Sequence, residues 1–330
     1  MENNKKRKNW IFALLTAVLL LSMFISLWLG SAELSVGDIF KGLFSDGDSR
    51  ISIIIRYVRL PRMLAALLAG VGLSVAGALL QGVTDNGLAS PNIIGVNSGA
   101  GFMTILTLSI FPGAVFALPF SAFCGAFAAT LLILWTANRI GTSKVTIILA
   151  GMALTAILNA GISFLSLLDT DVVAAYNAFS IGGLSGVTTR ALWIPAVLIF
   201  LSLGAALLLS RQISVLCLGD SLASSLGIRV KRLRMICLIC SSASAAAVVS
   251  FAGLLGFVGL IVPHMARRIT GGSMPKVLVS SALCGASIVM LADALGRTLF
   301  APTEIPVGIV MAAIGAPFFL ILLFRRRGHA

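Results

Sequence analysis

Along this chain, apolar runs of near-constant length alternate with short joints marked by charge, glycine or proline, about ten times over. The runs cover approximately 10–30, 61–81, 92–110, 114–136, 145–168, 191–210, 234–251, 254–266, 276–297 and 305–325. About twenty residues at 1.5 Å each cross the ~30 Å hydrocarbon layer, so each run predicts a spanning or near-spanning helix. The third and eighth runs are short or interrupted. Pro91 and Pro263 predict breaks there, and the irregular backbone must line a cavity or lie buried in protein. Between the fifth and sixth runs, "DTDVVAAYNAFSIGGLSGV" predicts a short helix that enters the membrane without crossing it. The first run follows "KKRK" at Lys5–Lys8 and is too long for a secretory signal core, so it reads as a retained first helix. The fold class expected is an all-α integral membrane protein of about ten transmembrane helices, with residues 1–330 forming one transmembrane domain.

Composition strengthens this reading: 58% of the residues are hydrophobic and 11% charged, with a mean hydropathy of +1.07. The charges fix the sides. With the N-terminus cytoplasmic and ten spans, seventeen of the 24 basic residues fall in inner segments. These include a basic tail (1–9), a loop at 211–233 and the C-terminal Arg325–Arg327. That bias predicts both termini in the cytoplasm. It also accounts for the net charge of +13 without invoking nucleic acid. Arg56, Arg59 and Arg62 in "RYVRLPR" run against it, because they fall on the outer side. Two readings stay open from position alone: arginines snorkelling to headgroups with Asp46 and Asp48 nearby, or a site for an acidic partner.

Little chemistry is available for an enzyme. The sequence has no G-x-x-x-x-G-K-[ST], no H-E-x-x-H and only two histidines, His264 and His329. Cys237 and Cys240 form a C-x-x-C inside an apolar run, where they read as packing residues. The acids sit at span ends, except Asp293, which lies four residues before Arg297 and predicts a local ion pair. An ion-coupled secondary transporter, which keeps an acid near the midplane, is therefore the weaker alternative. Glycine pairs such as Gly95/Gly99 and the Gly253/Gly256/Gly259 series predict close helix packing. In "LCLGDSLASSLGIRVKRLR", Gly219 and Gly227 bracket a short helix with Asp220 suited to its N-cap. Such a helix is too short to stand alone in water and makes sense against a partner.

The blocks "RLPR" (59–62), "GLSVAGALLQ" (72–81), "NGLASPNIIGVNSGAG" (86–101), "LAGMAL" (149–154), "LGDSLASSLGI" (218–228), "GFVGLIVPHMAR" (256–267) and "IPVGIVMAAIGAPFFLILL" (305–323) together resemble the FecCD-type permeases. These are membrane subunits of ATP-driven importers for iron–siderophore complexes, haem and cobalamin. The resemblance covers nearly the whole chain. It implies a type II ABC importer architecture in the bacterial cytoplasmic membrane. Two permease subunits, alike or different, would surround the pathway, with two ATPase subunits below and an extracytoplasmic substrate-binding protein above. No cofactor is implied. By the resemblance, Arg59, Arg62 and Arg297 would meet glutamates of the binding protein. Gly219, Asp220, Ser221, Leu222, Ala223, Leu226 and Gly227 would form the helix that fits a groove of the ATPase. Asn86, Leu88, Thr142 and Ser143 would form the inner gate, although "DNG" here stands where some relatives have Asn-Pro. The fifth and tenth spans and the short helix after the fifth would line the pathway. Ferric siderophores are the leading cargo, with cobalamin or haem as the alternative.

Overall fold

The computed structural model describes residues 2–30, 34–44, 49–140 and 144–327. Among them there are fourteen α-helices and no strand. They are α1 (Glu2–Trp28), α2 (Val36–Phe44), α3 (Arg50–Ile53), α4 (Leu60–Thr84), α5 (Val96–Ile110), α6 (Leu118–Ile140) and α7 (Lys144–Leu168). Then follow α8 (Asp171–Ile181), α9 (Thr189–Leu216), α10 (Asp220–Ser225), α11 (Val230–Ala252), α12 (Val258–Thr270), α13 (Met274–Thr298) and α14 (Val307–Arg327). Seven helical stretches in the described residues are long and apolar enough to cross a membrane, and α5 and α14 are shorter apolar helices.

All ten apolar runs lie on helices, but three boundaries differ from expectation. A π-helical turn, Ile54–Arg59, joins α3 to α4, so the helix of the second run begins at Arg50 rather than near Pro61. Proline at the second position of α4 has no helical N–H to forfeit there, and the helix continues through it. Pro263 likewise lies inside α12 and does not break it. The interruption falls earlier, at 253–257, where Gly253 (φ 68°) and Phe257 (φ 65°) leave helical geometry. The basic tail at 2–9 is continuous in backbone with α1.

The helices are arranged around α4. Nearly all of its apolar window is buried (89%), against 11% for α7. It packs on α9, α11, α12 and α13, while α5–α8 form a neighbouring group and α1 lies along α13. Small residues bring the backbones together. A Cβ on Gly70 would strike the Gly285 backbone of α13, and one on Gly77 would strike the Gly259 carbonyl of α12. Two serines of α11 seal the other side: Ser241 donates to Ala76 O (2.8 Å) and Ser244 to Gly72 O (3.0 Å). In lipid there is no hydrophobic drive between helices, so contact at this range and hydrogen bonds across it supply the cohesion.

The irregular backbone is also satisfied internally, as a membrane core demands. Leu254 N–H donates to Phe179 O (3.2 Å), Gly183 N–H to Ala252 O (2.9 Å) and Gly308 N–H to Gly182 O (3.1 Å). These bonds tie the end of α8, the 253–257 segment and the start of α14 into one knot.

The packing sets a direct test. Gly77→Val should destabilise the fold by roughly 1–3 kcal/mol or more, because the obstructing atoms are backbone. Gly87→Ala, where an added Cβ meets nothing within 4 Å, should be near neutral. Thermal midpoints and monodisperse yield in detergent should separate the two variants in that order.

Candidate functional site

Two polar clusters stand at opposite ends of α4. Arg62 and Val83 are twenty-one residues apart, about 32 Å along the helix axis.

At the N-terminal end, the π-helical turn and the first turn of α4 carry Arg59 and Arg62 inward, while α13 supplies Asp293 and Arg297 on one face of its last turns. All three arginines are buried, with 4, 7 and 3% of their surface exposed, and Asp293 has 0%. Arg62 Nε donates to both Asp293 oxygens (3.1 Å each). Its Nη2 lies 3.0 Å from Asp293 Oδ1, and its Nη1 donates to Glu304 Oε2 (2.6 Å). Arg297 Nε closes on Asp293 Oδ2 at 3.1 Å, the local pair anticipated from spacing. A buried carboxylate is costly unless it is paired and hydrogen-bonded; Arg62 supplies the hydrogen bonds here and Arg297 a second close charge.

The arginines also finish α1. Arg59 Nη1 donates to Leu27 O (2.7 Å) and Trp28 O (2.6 Å). Arg297 donates to Leu29 O (2.8 Å) and Ser26 O (3.0 Å). Four successive carbonyls at a helix C-terminus, which the helix itself leaves without partners, are thus met by cations at the negative end of its dipole. Gly30 leaves room for this, since a Cβ there would sit 3.0 Å from Arg59 Nη2. Among the described residues the cluster brings together three guanidiniums and the carboxylates of Asp293 and Glu304. Beside it lies a cleft of about 50 Å³ lined by Gly30, Ile54, Val58, Glu304 and the three arginines. It has room for a water or two and none for a chelate.

Snorkelling does not describe Arg59 and Arg62, because their guanidiniums point into protein. Asp46 and Asp48 lie outside the described residues, and the carboxylates on Arg62 come instead from Asp293 and Glu304, more than two hundred residues away. Arg56 stands apart and donates to Gly42 O of α2 (3.1 Å).

At the C-terminal end, α4 stops at Asp85, which adopts a left-handed conformation (φ 49°). The following loop is held by an Asx turn in which Leu88 N–H donates to Asn86 Oδ1 (3.0 Å). Asn86 and Leu88 are half-buried. The 3₁₀ turn after them, Pro91–Ile94, packs on α5, α6 and α7. Thr142 and Ser143 lie outside the described residues.

The predicted short helix is α10. Its start differs from expectation: Gly219 (φ 122°) holds the cap position and Asp220 is the first helical residue, making no capping bond. The carboxylate is engaged elsewhere, by Arg234 Nη2 at 2.9 and 3.0 Å. The C-terminus is a Schellman motif, with Gly227 (φ 81°) in the left-handed position. There Ile228 N–H donates to Ala223 O and Gly227 N–H to Ser224 O, both at 3.0 Å. Only Ala223 of this helix is buried; Leu218, Leu222 and Leu226, at spacing four, stay exposed at 70, 46 and 63%. Arg234, counted at first only as an inner basic residue, is the functional candidate that position in sequence did not single out.

The described residues form a helical bundle suited to a membrane, with polar clusters at both ends of its central helix. The chain is a member of the FecCD transport family, whose family model matches residues 18–325. It is 37% identical to the Fe(3+)-citrate import system permease protein YfmE of Bacillus subtilis over 325 residues, 98% of this chain and 97% of that one. It is 35% identical to the iron(3+)-hydroxamate import system permease protein FhuG of the same organism, covering 96% of each. Its fold superposes with a TM-score of 0.86 on a metal-chelate type ABC transporter described in an inward-facing conformation, at 32% identity over 96% of this chain and 99% of that chain. The chain is therefore a membrane permease subunit of an ABC transporter. It is a transport component rather than an enzyme, and its family works with ATPase and substrate-binding partners.

The N-terminal cluster predicts unequal roles for its two acids. Asp293→Asn leaves two buried guanidiniums against each other and should cost about 3–5 kcal/mol. Glu304, whose side chain is 32% exposed, should cost only about 0–1 kcal/mol as Glu304→Gln. Thermal unfolding of the purified permease measures the difference; equal losses would show that Asp293 is not the keystone of the cluster.

Proposed function

We propose that this permease imports ferric siderophores or related iron chelates, driven by ATP hydrolysis in partner subunits. The observation that carries the directional part of this reading is the contrast between the two ends of α4. One end gathers three arginines around a narrow cleft. The other carries a six-residue helix with Leu222 exposed on it and the exposed Leu218 and Leu226 at its flanks. The first matches the docking side that the family resemblance implies, with the arginines themselves buried and paired so that a binding protein would rest over the cluster rather than take their donors. The second suits a groove in an ATPase. The named cargo of the relatives, ferric citrate and ferric hydroxamate, supports the iron-chelate assignment over cobalamin or haem.

In this reading residues 1–330 form one permease domain with ten crossings and cytoplasmic termini. The short α12, about 20 Å long, completes its crossing through the irregular 253–257 segment. Two such subunits surround the pathway, using the largely open α7, α8 and α14, with two ATPases on the α10 side. Binding protein docks over Arg59, Arg62 and Arg297. ATP binding and hydrolysis displace α10, the gate at Asn86, Leu88, Thr142 and Ser143 opens, and cargo passes.

A strain lacking this chain should lose uptake of radiolabelled iron from one class in a ferric-siderophore panel, with restoration on complementation. Uptake should stop on ATP depletion and survive an uncoupler; the reverse would favour an ion-coupled carrier. Unchanged uptake across the panel would move the cargo to cobalamin or haem. Docking is best tested from the partner's side, since reversing Arg62 would also break its pair with Asp293. Reversing the binding protein's surface glutamates to lysine should abolish uptake with the permease still folded, whereas uptake at the native rate would remove the docking assignment.

A further inference from the structure

We propose that Arg234 is the positioning residue that carries movement of α10 to the gate loop after α4. This rests on the reading of α10 as the ATPase contact and of residues 86–88 as part of the gate. Arg234 stands in the first turns of α11 and is almost wholly buried, at 3% exposure. Its guanidinium reaches two ways at once. Nη2 donates to both oxygens of Asp220, the first residue of α10 (2.9 and 3.0 Å). Nε donates to Val83 O in the last turn of α4 (3.1 Å).

Both ends of this bridge have few alternatives. Val83 O is among the carbonyls that the end of α4 leaves without an intrahelical partner, and Asn86 follows three residues later. Asp220 is the only acid on α10, and glycines with positive φ flank the helix on both sides, so α10 has articulated ends. A second strand runs parallel, as Cys217 just before α10 donates from Sγ to Gly82 O (3.4 Å). A planar fork shared between a carboxylate and a carbonyl has fixed geometry, which a lysine's single ammonium on a flexible stem does not reproduce. Displacing Asp220 therefore shifts Val83, or else breaks a buried charged hydrogen bond. Val83 lies in the last turn of α4, directly before the gate loop.

The test needs no knowledge of cargo. Gly87 lies in the gate loop, exposed, and an added Cβ there meets nothing within 4 Å. Gly87→Cys serves as reporter in the permease–ATPase complex in liposomes. Its labelling by a membrane-impermeant maleimide is followed with and without ATP plus vanadate, subtracting the signal of the chain's five native cysteines. The parent should show an ATP-dependent change in labelling rate. Arg234→Lys should lose most of it, a coupling of roughly tenfold, while ATP hydrolysis and ATPase co-purification persist. Asp220→Asn, made on a side chain that is 49% exposed, should shift the reporter in the same direction without disturbing the core. An unchanged reporter response in both variants would overturn the proposal. So would loss of the response only in proportion to folded protein, because a purely structural bond lowers yield and leaves coupling intact. A parent without any ATP-dependent change, or ATPase binding that survives Leu222→Asp, removes the underlying reading of gate or α10 and the proposal with it.

Discussion

Asp293 is a carboxylate with no exposed surface, and the groups around it at one end of the molecule are arranged to pair with it. Two guanidiniums enclose it, one from its own helix and one from α4. Each guanidinium then has donors left over, and these reach Glu304 on the approach to α14 and the carbonyls ending α1. Four separate parts of the chain are thereby brought to one point by a single desolvated charge. Breaking such a pair costs far more than its net contribution suggests, because the orphaned charge cannot regain water. The cluster is therefore a constraint on topology as much as a source of stability.

Between its two ends α4 acts as a stiff shaft. Gly70 and Gly77 let α13 and α12 approach to backbone contact, and Ser241 and Ser244 pin α11 to its carbonyls. A helix gripped on three sides at this distance has little freedom to bend, since interiors packed this way switch between arrangements rather than deform gradually. Both polar clusters are thereby tied to one such helix.

The apolar runs and the approximate place of α10 were legible in the sequence because each follows from local rules, apolar run length and bracketing glycines; the close contacts at Gly70 and Gly77 and the capping of α10 by Gly219 were not. The i, i+4 pair of Asp293 with Arg297 was legible for the same reason. What was hidden is long-range. Arg62 meets Asp293 across 231 positions, and nothing near "RLPR" signals a buried partner, so the arginines read as an outward patch when the fold turns them inward. Pro263 read as a break because proline usually is one, yet here backbone at Gly253 and Phe257 takes that role six to ten residues earlier. Arg234 was invisible as an individual because a basic residue at an inner helix end is expected for topology alone.

The two ends of α4 are built from the same chemistry and differ in exposure, and that difference assigns them different mechanical roles. At the N-terminal end the shared carboxylate is wholly buried and doubly paired, so moving it apart from either arginine means separating charges in a low-dielectric interior. At the C-terminal end the carboxylate of Asp220 is half exposed, and its partner Arg234 is held from the other side by a carbonyl. Water offsets part of the cost of opening that pair. The first pair is thus the costlier of the two to open, and the second the one that water helps to release.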